Sequence, residues 1–248
     1  MIGVQTISPR REVTSRSLSE RSRGWSAAAL NFRSCSGELN RLPRSVHSGE
    51  TSDLAFVVER LLQERSGAPL LIAGVSLGGN VLVKWLGEIG ASVPRELRAA
   101  AAISTPFDLS LCASALDGPG FWARIYRGRF LRTLLAKTRA KAARFPRALD
   151  VNALDRIHTL TEFDERVAAP LHGFSGAAGY YARSSSGPFL ARPTRSRSAG
   201  RTRRLRFVFD RACPLVGRGE GGLFSRAARA DLRRRVLKKR AGTRRYPL

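Results

Sequence analysis

The spacing of apolar residues changes period repeatedly along the chain, and each change marks an element. Residues 69–75 are an unbroken apolar run of strand length. Val81, Leu82, Trp85, Leu86 and Ile89 then recur at three- and four-residue spacing up to Gly90. The run suits a strand buried on both faces of a parallel sheet, and the stripe is one face of a helix ended by glycine. Upstream, residues 25–32 read as a strand. Residues 49–63 read as a helix with Leu54, Val57, Val58, Leu61 and Leu62 inward and Asp53, Glu59 and Arg60 outward. Residues 99–104 read as a further strand. This alternation predicts an α/β fold, a parallel sheet flanked by helices, across residues 25–107.

From residue 108 to 190 the pattern turns helical and amphipathic. Phe121, Ile125, Phe130, Leu131, Leu134 and Leu135 alternate with Arg124, Arg127, Arg129, Arg132, Lys137, Arg139 and Lys141. This is a lid-like helical insertion whose basic face is either solvated or turned to anionic lipid headgroups.

Between the strand and the helix lies Gly74-Val-Ser-Leu-Gly-Gly-Asn80, a G-x-S-x-G box. A serine on a strand-to-helix turn presents its hydroxyl clear of the backbone, with the first N–H groups of the helix aimed at the same spot. Ser76 is the candidate nucleophile, and Gly74 and Gly78 allow strand and helix to approach closely. The competing reading makes Ser76 a simple helix N-cap. At 248 residues with 43% hydrophobic content the chain supports a sizeable core. Its charge is lopsided. From Arg192 onward 17 Arg and 2 Lys face only Asp210, Glu220 and Asp231, so +16 of the net +25 lies in the last 57 residues. That tail, 192–248, is expected to be disordered. Cys35, Cys112 and Cys213 are scattered, without metal-ligand spacing, which favours a reduced, cytoplasmic setting; no metal or cofactor is expected. No run reaches membrane-spanning length.

The segment Leu30-Asn-Phe-Arg-Ser-Cys-Ser-Gly-Glu, the box around Ser76, Thr105-Pro-Phe-Asp-Leu, Ala169-Pro-Leu-His-Gly-Phe and Tyr180-Tyr-Ala-Arg-Ser-Ser-Ser resemble motifs of YheT-like α/β-hydrolases. The resemblance covers about 24–191. It implies a partial α/β-hydrolase fold and a serine hydrolase of short-chain or acylglycerol esters. Ser76 matches the family nucleophile, and the backbone N–H of Leu77 one oxyanion-hole donor. Residues 1–24 read as a non-homologous extension, without the opening strands and His-Gly loop of the family, as in a truncated chain.

A serine needs a base and an orienting acid further along the chain. His158 and His172 read as structural, as does His47 before the nucleophile. Asp150, Asp155 and Asp164 read as solvated helix charges. No acid or base partner is therefore assigned. Back-translated and read one base later, Gly200–Arg206 permits Gly-Gly-His-Val-Gly-Phe-Val, which resembles the family's catalytic-histidine motif and implies a frame shift after about residue 191. Two readings result. One is a serine esterase with impaired catalysis acting on a small-molecule or lipid ester; the other is a non-catalytic polyanion- or nucleic-acid-binding protein acting through its Arg-rich tail.

Overall fold

The computed structural model describes residues 2–5, 26–146, 152–190, 195–198, 201–204 and 206–209. Five parallel strands form one sheet in the order β2 (Ala28–Asn31), β1 (Ile2–Gln5), β3 (Leu70–Val75), β4 (Leu97–Ile103) and β7 (Arg206–Phe209). Each parallel step across the sheet needs a crossover. Helix α1 (Ser52–Glu64) lies between β2 and β3 in the chain, and α2 (Leu77–Ile89) between β3 and β4. Gly90 ends α2 at φ 51°, as its position past the apolar stripe predicts.

The main core lies where these helices meet the sheet. Leu54 and Val58 of α1, Ile72 of β3 and Val81, Leu82 and Leu86 of α2 are almost wholly buried together. Val57, Leu61 and Leu62 pack on its margin, so the predicted inward face of α1 is the observed one. Asp53, expected to point outward, instead accepts from Arg33 Nε at 3.0 Å. Helix α2 is buried all round from Gly78 to Gly87 rather than along one stripe.

Two strands depart from the sequence reading. Ile2–Gln5, inside the expected extension, is an inner strand, with Val4 in register with both Leu30 and Gly74. Arg206–Phe209, inside the expected disordered tail, runs parallel beside Ala99–Ala102, and β5 (Arg195–Ser198) pairs antiparallel with β6 (Arg201–Arg204). Each is a short apolar, β-prone string, Ile-Gly-Val and Phe-Val-Phe; the first fills the place between β2 and β3, and the second pairs with β4 at the edge of the sheet. The rest of the tail lies outside the described residues, as do Cys213 and Asp150.

The insertion is helical, as expected: α3 (Leu109–Asp117), α4 (Phe121–Arg144), α5 (Leu160–Phe163), a π turn over Asp164–Ala168, α6 (Ala169–Leu171) and α7 (Ala177–Ser184). Phe121 and Ile125 face solvent at 63% and 46% exposure; the buried face of α4 carries Leu131, Thr138, Lys141 and Ala142. Among the described residues no helix is long and apolar enough to cross a membrane.

Candidate active site

Ser76 stands between the end of β3 and the start of α2 with φ 52° and ψ −122°, and makes no side-chain cap bond. The N-cap reading is thereby set aside: a capping serine turns its oxygen onto the helix, whereas this one is exposed to solvent. A positive φ is costly for any residue with a β-carbon, so the turn must be held from outside. The Ser76 amide donates to the Ile103 carbonyl at 2.8 Å, and its own carbonyl accepts from Gly79 N at 2.9 Å. A β-carbon on Gly74 would lie 2.3 Å from the Gly78 carbonyl oxygen. The predicted close approach of strand and helix is therefore real. Gly79 adds a second, since a β-carbon there would fall 2.0 Å from Thr105 Oγ1.

Ser76 shares its backbone strain with two neighbours. Ser34, Ser76 and Ser104 are the non-glycine residues with positive φ among those described, and they follow β2, β3 and β4. All three lie at the carboxyl ends of parallel strands, the rim at which open α/β sheets bind ligands.

Asn80, one turn into α2, was not singled out by sequence reasoning and proves central. Its side chain is fully buried, donates to the carbonyls of Ser48 (2.9 Å) and Ser184 (2.8 Å), and accepts from Ser186 N at 2.9 Å. It thus ties the loop before α1 and the Ser-Ser-Ser run after α7 to the helix that begins at Ser76. The signal was available, a lone amide at the fourth position after the serine, ahead of Lys84 and Glu88 in a mostly apolar helix. Nearby, Tyr180 Oη donates to Ser48 Oγ (2.6 Å) and accepts from Ser48 N (2.8 Å). Leu77, whose amide is the expected oxyanion donor, packs against the lid cluster containing Tyr180, Tyr181 and Leu109.

Among the described residues no hydrogen bond joins a histidine to the Ser76 hydroxyl. The His47 and His172 rings are tilted at 55° with centroids 4.7 Å apart, with Phe174 and Tyr180 around His47. His47 Nδ1 accepts from Gly49 N at 3.1 Å, and Nε2 lies 3.7 Å from Glu50, beyond hydrogen-bond distance. Burial holds His47 below its usual range, opposed by Glu50. Burial and then the neighbouring His47 push His172 down to about 4. His158 is exposed. Asp155 pairs on the surface with Arg139, but Asp164 is not a solvated charge: it accepts from Tyr181 Oη at 2.7 Å, and burial, with Asp117 adding like charge, pushes it up to about 7. Among the described residues no group of acids, histidines and cysteines is arranged to hold a metal ion.

A parallel sheet bearing a strained serine between a strand end and a buried helix is the arrangement of an α/β-hydrolase. The sequence relatives agree. The chain is 38% identical over 177 residues to the Escherichia coli protein named "Putative esterase YheT", covering 69% of this chain and 51% of that one. It is 32% identical over 163 residues to mouse phospholipase ABHD3, and 27% identical over 167 to the monoacylglycerol lipase of Saccharomyces cerevisiae; each match takes in 65% of this chain, and 39% and 37% of those proteins. No protein-family model matches. The chain belongs to the α/β-hydrolase family, with YheT among its relatives, and spans about half the length of that relative.

Proposed function

We propose that this chain derives from a serine hydrolase of carboxylic esters, with Ser76 as nucleophile and the Leu77 amide as one oxyanion donor, and that its catalysis is impaired as the chain stands. The observation that carries the first part is the positive-φ turn at Ser76, fastened to Ile103 of β4 and leading directly into α2, with no cap bond on its exposed side chain. Relatives named esterase, phospholipase and monoacylglycerol lipase support an acyl ester, a short-chain ester or an acylglycerol, as substrate.

In such a reaction the Ser76 oxygen attacks the acyl carbon, the developing oxyanion is stabilised by the Leu77 N–H, and an imidazole removes the serine proton and returns it to the leaving alkoxide. The impairment reading rests on that last role. Burial lowers the basicity of His47, whose Nδ1 already accepts from Gly49 N, and His172, with its pKa near 4, is too weak a base for efficient proton transfer at neutral pH. The histidine motif that a shifted frame across Gly200–Arg206 permits would supply the base that the reading lacks.

Turnover of p-nitrophenyl acetate tests both parts. The chain as written should stay near background and be unaffected by Ser76→Ala, whereas a version whose carboxyl end follows the shifted frame should turn over in a Ser76-dependent way. Robust Ser76-dependent turnover by the chain as written overturns the impairment. Failure of the reframed version to gain any Ser76-dependent turnover overturns the assignment of the base.

A further inference from the structure

Helix α4 places Arg129 and Arg132 on the same side as its largest exposed apolar groups. At 3.6 residues per turn, Phe121, Trp122, Ile125, Tyr126, Arg129 and Arg132 fall within roughly 140° of arc. The buried positions, Ala123, Leu131 and Thr138 among them, occupy the opposite side. Phe121 and Trp122 are 63% and 64% exposed, Ile125 and Tyr126 46% and 43%. Their geometry is ordered: Phe121 meets Trp122 edge-on at 5.4 Å between centroids, and Tyr126 stacks on Phe130 at 6.4 Å. A contiguous exposed apolar patch of this kind marks a surface that meets something.

The charge pattern says what. The helix contains eight Lys and Arg and no acid. Arg127 donates to the carbonyls of Asp117 and Gly118, Arg139 pairs with Asp155, and Lys141 is buried on the loop before α1. Arg129 and Arg132, exposed beside the aromatic patch, have no acidic partner among the described residues. Tryptophan and tyrosine rings at the level of unpaired guanidinium groups match the boundary between phosphate headgroups and acyl chains, where rings lie in the interface and arginines meet phosphate.

We propose that the outer face of the first half of α4 docks on an anionic phospholipid surface, with Phe121, Trp122 and Ile125 entering the headgroup–acyl boundary and Arg129 and Arg132 binding lipid phosphates. The proposal does not depend on ester hydrolysis. The test uses the full chain with Trp25→Phe, which leaves Trp122 as the exposed tryptophan beside the buried Trp85. The probe is vesicles of acyl-brominated phosphatidylcholine, with and without phosphatidylserine. With phosphatidylserine, Trp122 emission should shift to the blue and be quenched. Arg129→Gln with Arg132→Gln should lower partitioning about thirtyfold, the contribution of two cations near an anionic surface. Phe121→Ser with Ile125→Ser should reduce quenching while the far-ultraviolet circular dichroism stays unchanged. Vesicle binding without bromine quenching means adhesion by net charge alone and overturns the proposal. So does a concentration-dependent dimer in light scattering that shifts Trp122 emission without lipid, because a second copy then covers the patch.

Discussion

The Ser76 amide donates to the Ile103 carbonyl at 2.8 Å, so the turn that aims the candidate nucleophile is fastened to the end of the neighbouring strand rather than to its own helix. Two glycines set how close the parts can come. Gly74 faces the Gly78 backbone, and Gly79 faces Thr105, itself almost fully buried just beyond β4.

Gly79→Ala should therefore destabilise the fold by about 1–3 kcal/mol, because the new methyl group has to displace a buried threonine. Gly74→Ala should cost at least as much, since what it meets is backbone. Urea denaturation followed by circular dichroism measures both. Gly67→Asn is the control: its φ is 76°, which asparagine tolerates, and nothing lies within 4 Å, so the midpoint should barely move.

Asn80→Ala removes three hydrogen bonds at a buried position and leaves the Ser48 and Ser184 carbonyls without that donor. A loss of about 3 kcal/mol is expected. Asn80→Asp should be worse above the carboxylate pKa, because it sets an anion against two carbonyl oxygens. Stability of the Asp variant should recover as the pH is lowered, and a pH-independent difference between the two variants would refute the bonding described.

Two buried groups give stability opposite pH slopes. Asp164 is raised to about 7 in the folded state, so its contribution is fully present below its ordinary pKa and is lost as pH rises toward 7. His172 is lowered to about 4, so its contribution is present above about 6.5 and is lost as pH falls through 4. Between roughly pH 4 and 6.5 the two partly cancel. Asp164→Asn should expose a stability that climbs with pH across this window, and His172→Asn one that falls; denaturation midpoints at several pH values distinguish them.

Lys141 is 1% exposed, and its ammonium donates to the carbonyls of Leu42 (3.0 Å), Pro43 (3.1 Å) and Arg44 (3.0 Å). Burial, with Arg33 adding repulsion, lowers its pKa to about 8. Lys141→Met leaves the three carbonyls without their cation and should cost about 1–3 kcal/mol. Amide hydrogen exchange should speed up locally over residues 40–44 before global unfolding. Unchanged exchange there would mean that Asn40, which also donates to Leu42 and Arg44, holds the loop without help.

The units from β2 to β4 were legible because each element there is long enough to carry its own period and is closed by its own punctuation, Gly90 after α2 being the plainest case. Ser76 was legible because the box and its flanks agree. Ile2–Gln5 and Arg206–Phe209 were not: four residues are too few to show a period, and what places them is pairing with strands distant in the chain, β2 and β3 on either side of the first and β4 beside the second. The buried face of α4 was not legible for a different reason: apolar residues alternating with basic ones do not say which side packs, and Ala123 and Lys141 take the buried side while Phe121 and Ile125 take the outer one. Asp164 was taken as solvated because a carboxylate in a charged helix usually is; its partner Tyr181 lies 17 residues away, beyond the reach of local pattern.

The positive φ shared by Ser34, Ser76 and Ser104 gives the sheet rim an unusual mutational profile. At most solvent-reachable positions a swap of side chain matters little, and tolerance rises with exposure. Along this rim tolerance is governed by the backbone instead. Glycine and asparagine fit, while valine and isoleucine fail even at Ser76, which is open to water. A substitution map of the chain would therefore trace the mouth of the candidate site as three isolated points, each admitting the same few small or turn-forming residues.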